Sequence, residues 1–183
     1  QDPAFPAARR QLRVTAQDSP RREQVPLFAN LHADGRDLRL EYVWVDGPRA
    51  TAPLLVFLHE GLGSVSMWKD FPQQLCAALG CRGLVYSRPG YGRSTPRDEH
   101  EIWELDFMHR QAHEVLPALL HALDIDTAQG KPWLFGHSDG GSIALLYAAR
   151  FPGHTAGAVV VAPHILVEDR SVSSIADARK AYL

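Results

Sequence analysis

The chain has 183 residues, of which 45% are hydrophobic and 22% charged, enough for one globular domain with a hydrophobic core. Its formal net charge of -2 gives no basis for a nucleic-acid surface, and no apolar run approaches the roughly 20 residues of a membrane helix. Cys76 and Cys81 have neither a second pair nor metal-type spacing, which favours reduced thiols and makes the cytoplasm the expected compartment.

The N-terminal part of the chain changes character at residue 25. Residues 1–24 contain scattered prolines and arginines, no sustained apolar period and no signal-peptide core, so they are predicted to be a flexible arm. Apolar and polar residues then alternate on both sides of Asp34-Gly35, which predicts an antiparallel hairpin. The run Leu54–Leu58 is apolar throughout and is typical of a central strand covered on both faces.

Helices and buried strands alternate through the rest of the chain. The predicted elements are a helix over 69–79, a strand over 83–86, a long helix over 105–123 bent at Pro117, a strand over 133–135 followed by a helix, a strand over 155–162, and a loosely helical segment from 166 to 183. This alternation predicts an α/β fold with a mostly parallel, doubly wound sheet and an antiparallel N-terminal hairpin. Loops that follow parallel strands meet at one edge of such a sheet.

The segment over residues 131–150 carries the main chemical signal. An apolar run over 133–135 predicts a strand, and helical spacing resumes a few residues later, so Ser138 lies on the turn between them. Gly136 and Gly140 flank this serine at the G-x-S-x-G spacing, in which small neighbours tolerate a strained turn that pushes the hydroxyl clear of the backbone. The following helix points its N-terminal amides at the same spot, where an attacked carbonyl oxygen gathers negative charge.

Three motifs in order resemble the α/β-hydrolase superfamily of the type with a serine nucleophile. They are His-Glu-Gly-Leu-Gly-Ser at 59–64, Pro-Gly-Tyr-Gly-Arg-Ser at 89–94 and Gly-His-Ser-Asp-Gly-Gly at 136–141. The resemblance covers about residues 25–165, the N-terminal part of such a domain, and 166–183 would be the start of a cap or a linker. It implies an α/β-hydrolase fold, apparently truncated before the cap, the last strands and the catalytic histidine.

The resemblance also implies roles for individual residues. Ser138 would be the nucleophile, and the backbone amides of Gly61 and Asp139 would form the oxyanion hole, with Leu62 as the alternative to Gly61. Glu60 stands where the family usually has glycine, and the sequence leaves its role open between an outward-facing side chain and a part in the mechanism.

Neither the triad acid nor the triad histidine is expected in this chain, because the family places both later in chain order. His59, His137 and His164 are better explained as packing or loop residues. Glu168 and Asp169 follow the last visible strand, but an acid without the histidine activates nothing. The chain by itself is therefore expected to be inactive or nearly so, unless a second polypeptide carries the rest.

The predicted function is hydrolysis of an ester, thioester or related acyl substrate, without a cofactor or a metal. Carbon-carbon bond hydrolases, cofactor-free peroxidases and acyltransferases of the same fold are alternatives, as is a non-catalytic binding protein. Dehalogenases and epoxide hydrolases are disfavoured because they have Asp in place of Ser138.

The expected partner is a small-molecule acyl substrate, with no nucleic acid and no membrane. An unpaired edge at the last strand predicts self-association or binding of a complementing C-terminal fragment.

Overall fold

A computed structural model describes residues 25–98, 100–102 and 104–182. The predicted flexible arm over 1–24 lies outside the described residues. The division of the rest into a core over 25–165 and the start of a cap or linker from 166 stays a prediction.

Six strands form one mixed sheet. In chain order they are β1 (Leu27–Ala33), β2 (Arg36–Val45), β3 (Leu54–Leu58), β4 (Arg82–Tyr86), β5 (Trp133–His137) and β6 (Gly157–Val161). Their order across the sheet is β1-β2-β4-β3-β5-β6. β2 pairs antiparallel with β1 and β4, whereas the β3–β4, β3–β5 and β5–β6 pairs are parallel. The predicted α/β class, a mostly parallel sheet with an antiparallel N-terminal hairpin, is confirmed.

Helices connect the parallel strands, and one more follows the last strand of the described chain. They are a 3₁₀ turn (Val65–Trp68), α1 (Phe71–Leu79), α2 (Phe107–Arg110), a π-helical turn (Gln111–Val115), α3 (Leu116–Ala122), α4 (Asp139–Arg150) and α5 (Asp169–Tyr182). The π-helical turn divides the long predicted helix just before Pro117, whose nitrogen has no hydrogen to donate to the helical ladder. Among the described residues, no helix has both the length and the apolar character to cross a membrane.

Both faces of the sheet are covered, as the apolar sequence of β3 predicts. Leu54, Val56 and Leu58 belong to the larger buried cluster, which includes residues of α3 and α4. Leu55 and Phe57 point to the other face and pack in a second cluster with α1 and the 3₁₀ turn. The central strand β3 is therefore held from both sides, and its carboxyl end is a fixed base for the loop that follows.

β6 forms one edge of the described sheet and exposes apolar side chains. Val159 and Val161 are 47% and 43% exposed. Within the part of the chain that the structure describes, β6 pairs with β5 alone. A strand edge with exposed apolar side chains is a template for pairing with another chain.

We expect the 183-residue chain to self-associate through this edge. Replacing Val159 and Val161 with lysine should lower the association, because charged side chains on an edge strand oppose pairing. Sedimentation velocity over a concentration series measures the effect, and Leu79→Lys, at an exposed position of α1, is the matched control. A wild-type chain that stays monomeric at every concentration would contradict the prediction.

Candidate active site

Ser138 lies where the chain turns from β5 into α4, at the carboxyl end of the parallel strands. Its φ of 53° and ψ of -118° are a conformation that costs a non-glycine residue on the order of 1–3 kcal/mol. The Ser138 amide donates to the Val161 carbonyl at 2.8 Å, and the Ser138 carbonyl accepts the amides of Gly141 and Ser142. Hydrogen bonds on both sides of the turn therefore hold the strained backbone that the sequence predicts.

Two glycines allow α4 to lie against the ends of β3 and β5. A Cβ atom at Gly140 would overlap the Leu58 carbonyl, and one at Gly136 would overlap the Gly140 carbonyl. No side chain fits in either place. The close approach brings Ser138 next to the loop that follows β3, which carries Gly61.

The hydroxyl of Ser138 contacts the ring of His164, a residue that follows β6. The Ser138 Oγ and His164 Nε2 atoms are 2.8 Å apart, and the histidine side chain is 53% exposed. The Ser142 hydroxyl accepts the His164 amide and donates to the His164 carbonyl, both at 2.9 Å, so α4 holds the histidine backbone. The Asp139 carboxylate lies 4.0 Å from the same ring nitrogen. Among the described residues, no carboxylate contacts the other ring nitrogen.

Sequence reasoning missed the contact between Ser138 and His164. It interpreted His164 as a packing or loop residue, because motif order assigns the catalytic histidine to a later strand. The structure instead gives a half-exposed ring that contacts the predicted nucleophile. A signal was present in the sequence: His164 closely follows a strand, and the ends of neighbouring parallel strands share one edge of the sheet.

The two predicted oxyanion donors, Gly61 and Asp139, lie side by side. Asp139 is the first residue of α4, and a Cβ atom at Gly61 would lie 3.2 Å from Asp139 Oδ2. Among the described residues, the Gly61 amide makes no turn or loop hydrogen bond to a backbone carbonyl. The Asp139 amide is one of the first four of α4, which have no intrahelical acceptor. The amide of Leu62, the alternative donor, instead donates to the Glu60 carboxylate at 2.6 Å. The Glu60 side chain therefore occupies the alternative donor, which favours Gly61.

His59 is a buried support for this loop. Its Nε2 accepts the Arg88 backbone amide at 3.0 Å, so the ring proton lies on Nδ1, which donates to the Glu60 carbonyl at 2.7 Å. Burial, together with the nearby positive charge of Arg88, lowers the pKa of His59 to about 3. The ring is neutral at pH 7, and both of its nitrogens are occupied by the loop, in agreement with the loop role predicted for this histidine.

The described chain also has a depression away from Ser138. An open depression of about 540 Å³ lies between α3 and the end of α4, where Leu120, His121, Tyr147 and Phe151 line it. It does not include Ser138 or His164. Among the described residues, no three His, Cys, Asp or Glu side chains form a group that could hold a metal ion.

The fold agrees with comparisons to known proteins. The profile of the alpha/beta hydrolase fold family matches residues 53–181. Human monoglyceride lipase is 31% identical over 170 residues, which cover 86% of this chain and 51% of that protein. The mouse sn-1-specific diacylglycerol lipase ABHD11 is 31% identical over 157 residues, 81% of this chain and 47% of that protein. The chain thus spans about half the length of the curated relatives it matches.

Solved structures support the same architecture. A crystal structure of a carboxylesterase from the thaumarchaeon Nitrososphaera gargenis matches with a TM-score of 0.64 at 24% identity, over 82% of this chain and 52% of that one. At this level of identity the match concerns the fold alone.

Proposed function

Because the chain belongs to the alpha/beta hydrolase fold family, we propose that it acts as a serine hydrolase on an ester, thioester or related acyl substrate, with Ser138 as the nucleophile. The observation that carries the proposal is the hydrogen bond of 2.8 Å between Ser138 Oγ and His164 Nε2. A serine hydroxyl is a weak nucleophile without a base, and this contact supplies one candidate base within the chain.

The proposed reaction uses the described groups in two steps. Ser138 Oγ attacks the acyl carbon while His164 Nε2 accepts the hydroxyl proton, and the Gly61 and Asp139 amides donate to the oxyanion. The imidazolium then returns the proton to the leaving alcohol or thiol, which departs and leaves an acyl ester on Ser138. A water molecule, deprotonated by the same ring, attacks this ester and releases the acid and the free serine.

The reaction is expected to be slow in this chain alone. Among the described residues, no carboxylate holds the second nitrogen of the His164 ring, so the ring is less well oriented than in a complete triad. We therefore propose weak activity for this chain, where motif order predicts a chain that is inactive or nearly so. An acid from a complementing fragment would raise the rate.

The surroundings of the site favour an apolar acyl group. Leu62 follows the predicted oxyanion donor and is 86% exposed, and the run Ile165, Leu166 and Val167, directly after His164, is also exposed. Exposed apolar side chains beside polar groups are typical of a surface that binds an apolar ligand. The lipase names of the two relatives agree with this choice of substrate.

A fluorophosphonate probe tests the proposal on the 183-residue chain. We expect mass spectrometry to locate the adduct on Ser138, no adduct in Ser138→Ala, and normal labelling in Ser173→Ala, at an exposed position of α5. An adduct on another residue, or no adduct after prolonged incubation, would contradict the nucleophile assignment. Nitrophenyl esters and thioesters of increasing acyl length then measure the preference for an apolar acyl group.

A further inference from the structure

Arg88 is a buried cation at the base of the proposed oxyanion hole. Its side chain is 1% exposed and lies in the loop that follows β4. Its Nη2 donates to the Glu60 carbonyl at 2.9 Å and approaches Asp139 Oδ2 at 3.5 Å. The guanidinium carbon lies 4.9 Å from the centre of the Tyr91 ring. One side chain therefore joins the two segments that supply the proposed oxyanion donors.

The contact with Glu60 bears directly on the Gly61 amide. The Glu60 carbonyl and the Gly61 N–H belong to one planar peptide unit and point in opposite directions. Donors on the carbonyl therefore determine where the N–H points. The Glu60 oxygen accepts Arg88 Nη2 at 2.9 Å, His59 Nδ1 at 2.7 Å and the Gly63 amide at 3.1 Å. These three bonds also polarise the peptide, which makes the Gly61 N–H a stronger donor.

The contact of Arg88 with Asp139 affects the net charge beside the proposed oxyanion hole. Asp139 is 15% exposed in its side chain, and its own backbone amide is the second proposed oxyanion donor. A carboxylate so close to this amide repels an oxyanion, and low solvent access strengthens the repulsion. Arg88 offsets this charge from the protein interior, where water screens it little.

A contribution to the stability of the fold does not by itself explain why Arg88 is buried. Its Nη1 has no hydrogen-bond partner among the described residues. Apolar side chains of similar size can often replace a buried ion pair without loss of stability, and a buried donor without a partner adds a further cost. We infer that Arg88 is the positioning residue of the oxyanion hole: it orients the Gly61 peptide and neutralises the Asp139 carboxylate. The inference rests on the proposed function, because it concerns stabilisation of the oxyanion formed at Ser138.

The kinetics of fluorophosphonate labelling test this role on the 183-residue chain, since the phosphoryl oxygen takes the place of the oxyanion. Arg88→Gln removes the charge, and we expect kinact at Ser138 to fall roughly ten- to hundredfold while KI stays near the wild-type value. Arg88→Lys keeps a charge but not the planar fork, and we expect an intermediate kinact. Arg93→Gln, at an exposed position of the same loop, is the matched control.

The effect of a second substitution separates positioning from folding. In the wild-type background Arg88 already offsets the Asp139 carboxylate, so we expect Asp139→Asn to change kinact little. In the Arg88→Gln background the same change removes an unbalanced carboxylate, and we expect kinact to rise several-fold. A merely structural arginine predicts the same effect of Asp139→Asn in both backgrounds.

The outcomes distinguish failure of the inference from failure of the proposed function. If wild-type Ser138 is labelled but Arg88→Gln and Arg88→Lys react at the wild-type rate, Arg88 has no positioning role and the function stands. If Asp139→Asn changes kinact equally in both backgrounds, the neutralising role is wrong. If wild-type Ser138 is not labelled, the proposed function fails. If circular dichroism shows that Arg88→Gln is unfolded, the kinact of Arg88→Lys tests the inference instead. A wild-type kinact in Arg88→Lys then overturns the inference.

Discussion

Replacing Gly140 with alanine is expected to lower the free energy of unfolding by about 3 kcal/mol and to abolish labelling of Ser138. The new Cβ atom would overlap the carbonyl oxygen and carbon of Leu58, at the end of the central strand. Both are backbone atoms of a strand packed on both faces, so the clash cannot be relieved by a side-chain rotation. The start of α4 must move away from β3, which also separates Ser138 from Gly61.

Urea unfolding, followed by circular dichroism, measures the loss of stability. Gly130→Ala is the matched control, because a Cβ atom there meets only the Asp126 carbonyl, at an ordinary 3.4 Å. Its free energy of unfolding should change by less than about 1 kcal/mol. A Gly140→Ala chain as stable as Gly130→Ala would show that α4 does not depend on this close approach.

Removal of the His164 ring is expected to slow fluorophosphonate labelling of Ser138 about a hundredfold. The ring nitrogen 2.8 Å from the hydroxyl is the proposed proton acceptor, and general bases typically contribute 10²- to 10⁴-fold. The lower part of this range is expected because no carboxylate orients the ring among the described residues. His164→Ala should leave the fold intact, because the Ser142 hydroxyl bonds to the backbone of this residue.

Added imidazole gives this prediction a specific readout. It should restore part of the labelling rate in His164→Ala and leave the rates of the wild-type chain and of His121→Ala unchanged. His121 is an exposed histidine on α3 and serves as the matched control. Labelling of His164→Ala at the wild-type rate would show that His164 is not the base, and the role of Ser138 would be unaffected.

Local sequence patterns were sufficient to predict much of the fold. The alternation around Asp34-Gly35 predicted the β1–β2 hairpin, and the unbroken apolar run in β3 predicted a strand covered on both faces. Strained backbone at Ser138 was also predictable, because the G-x-S-x-G spacing is itself a steric requirement of a tight turn. The π-helical turn before Pro117 was predicted only as a bend, since the sequence does not say how a helix accommodates a missing donor.

The site shows the same division between local and non-local information. The sequence alone determined the α/β class and the turn at Ser138, because periodicity and glycine sterics are properties of short segments. It also predicted that Gly61 lies near that turn, because loops that follow parallel strands meet at one edge of the sheet. Only the tertiary structure decided that His164 reaches Ser138, that Glu60 bonds to the Leu62 amide and that Arg88 lies beneath both donor segments. The contacts of His164 and Arg88 join segments that are distant in the chain, and even the short-range contact of Glu60 depends on the rotamer that the folded loop allows.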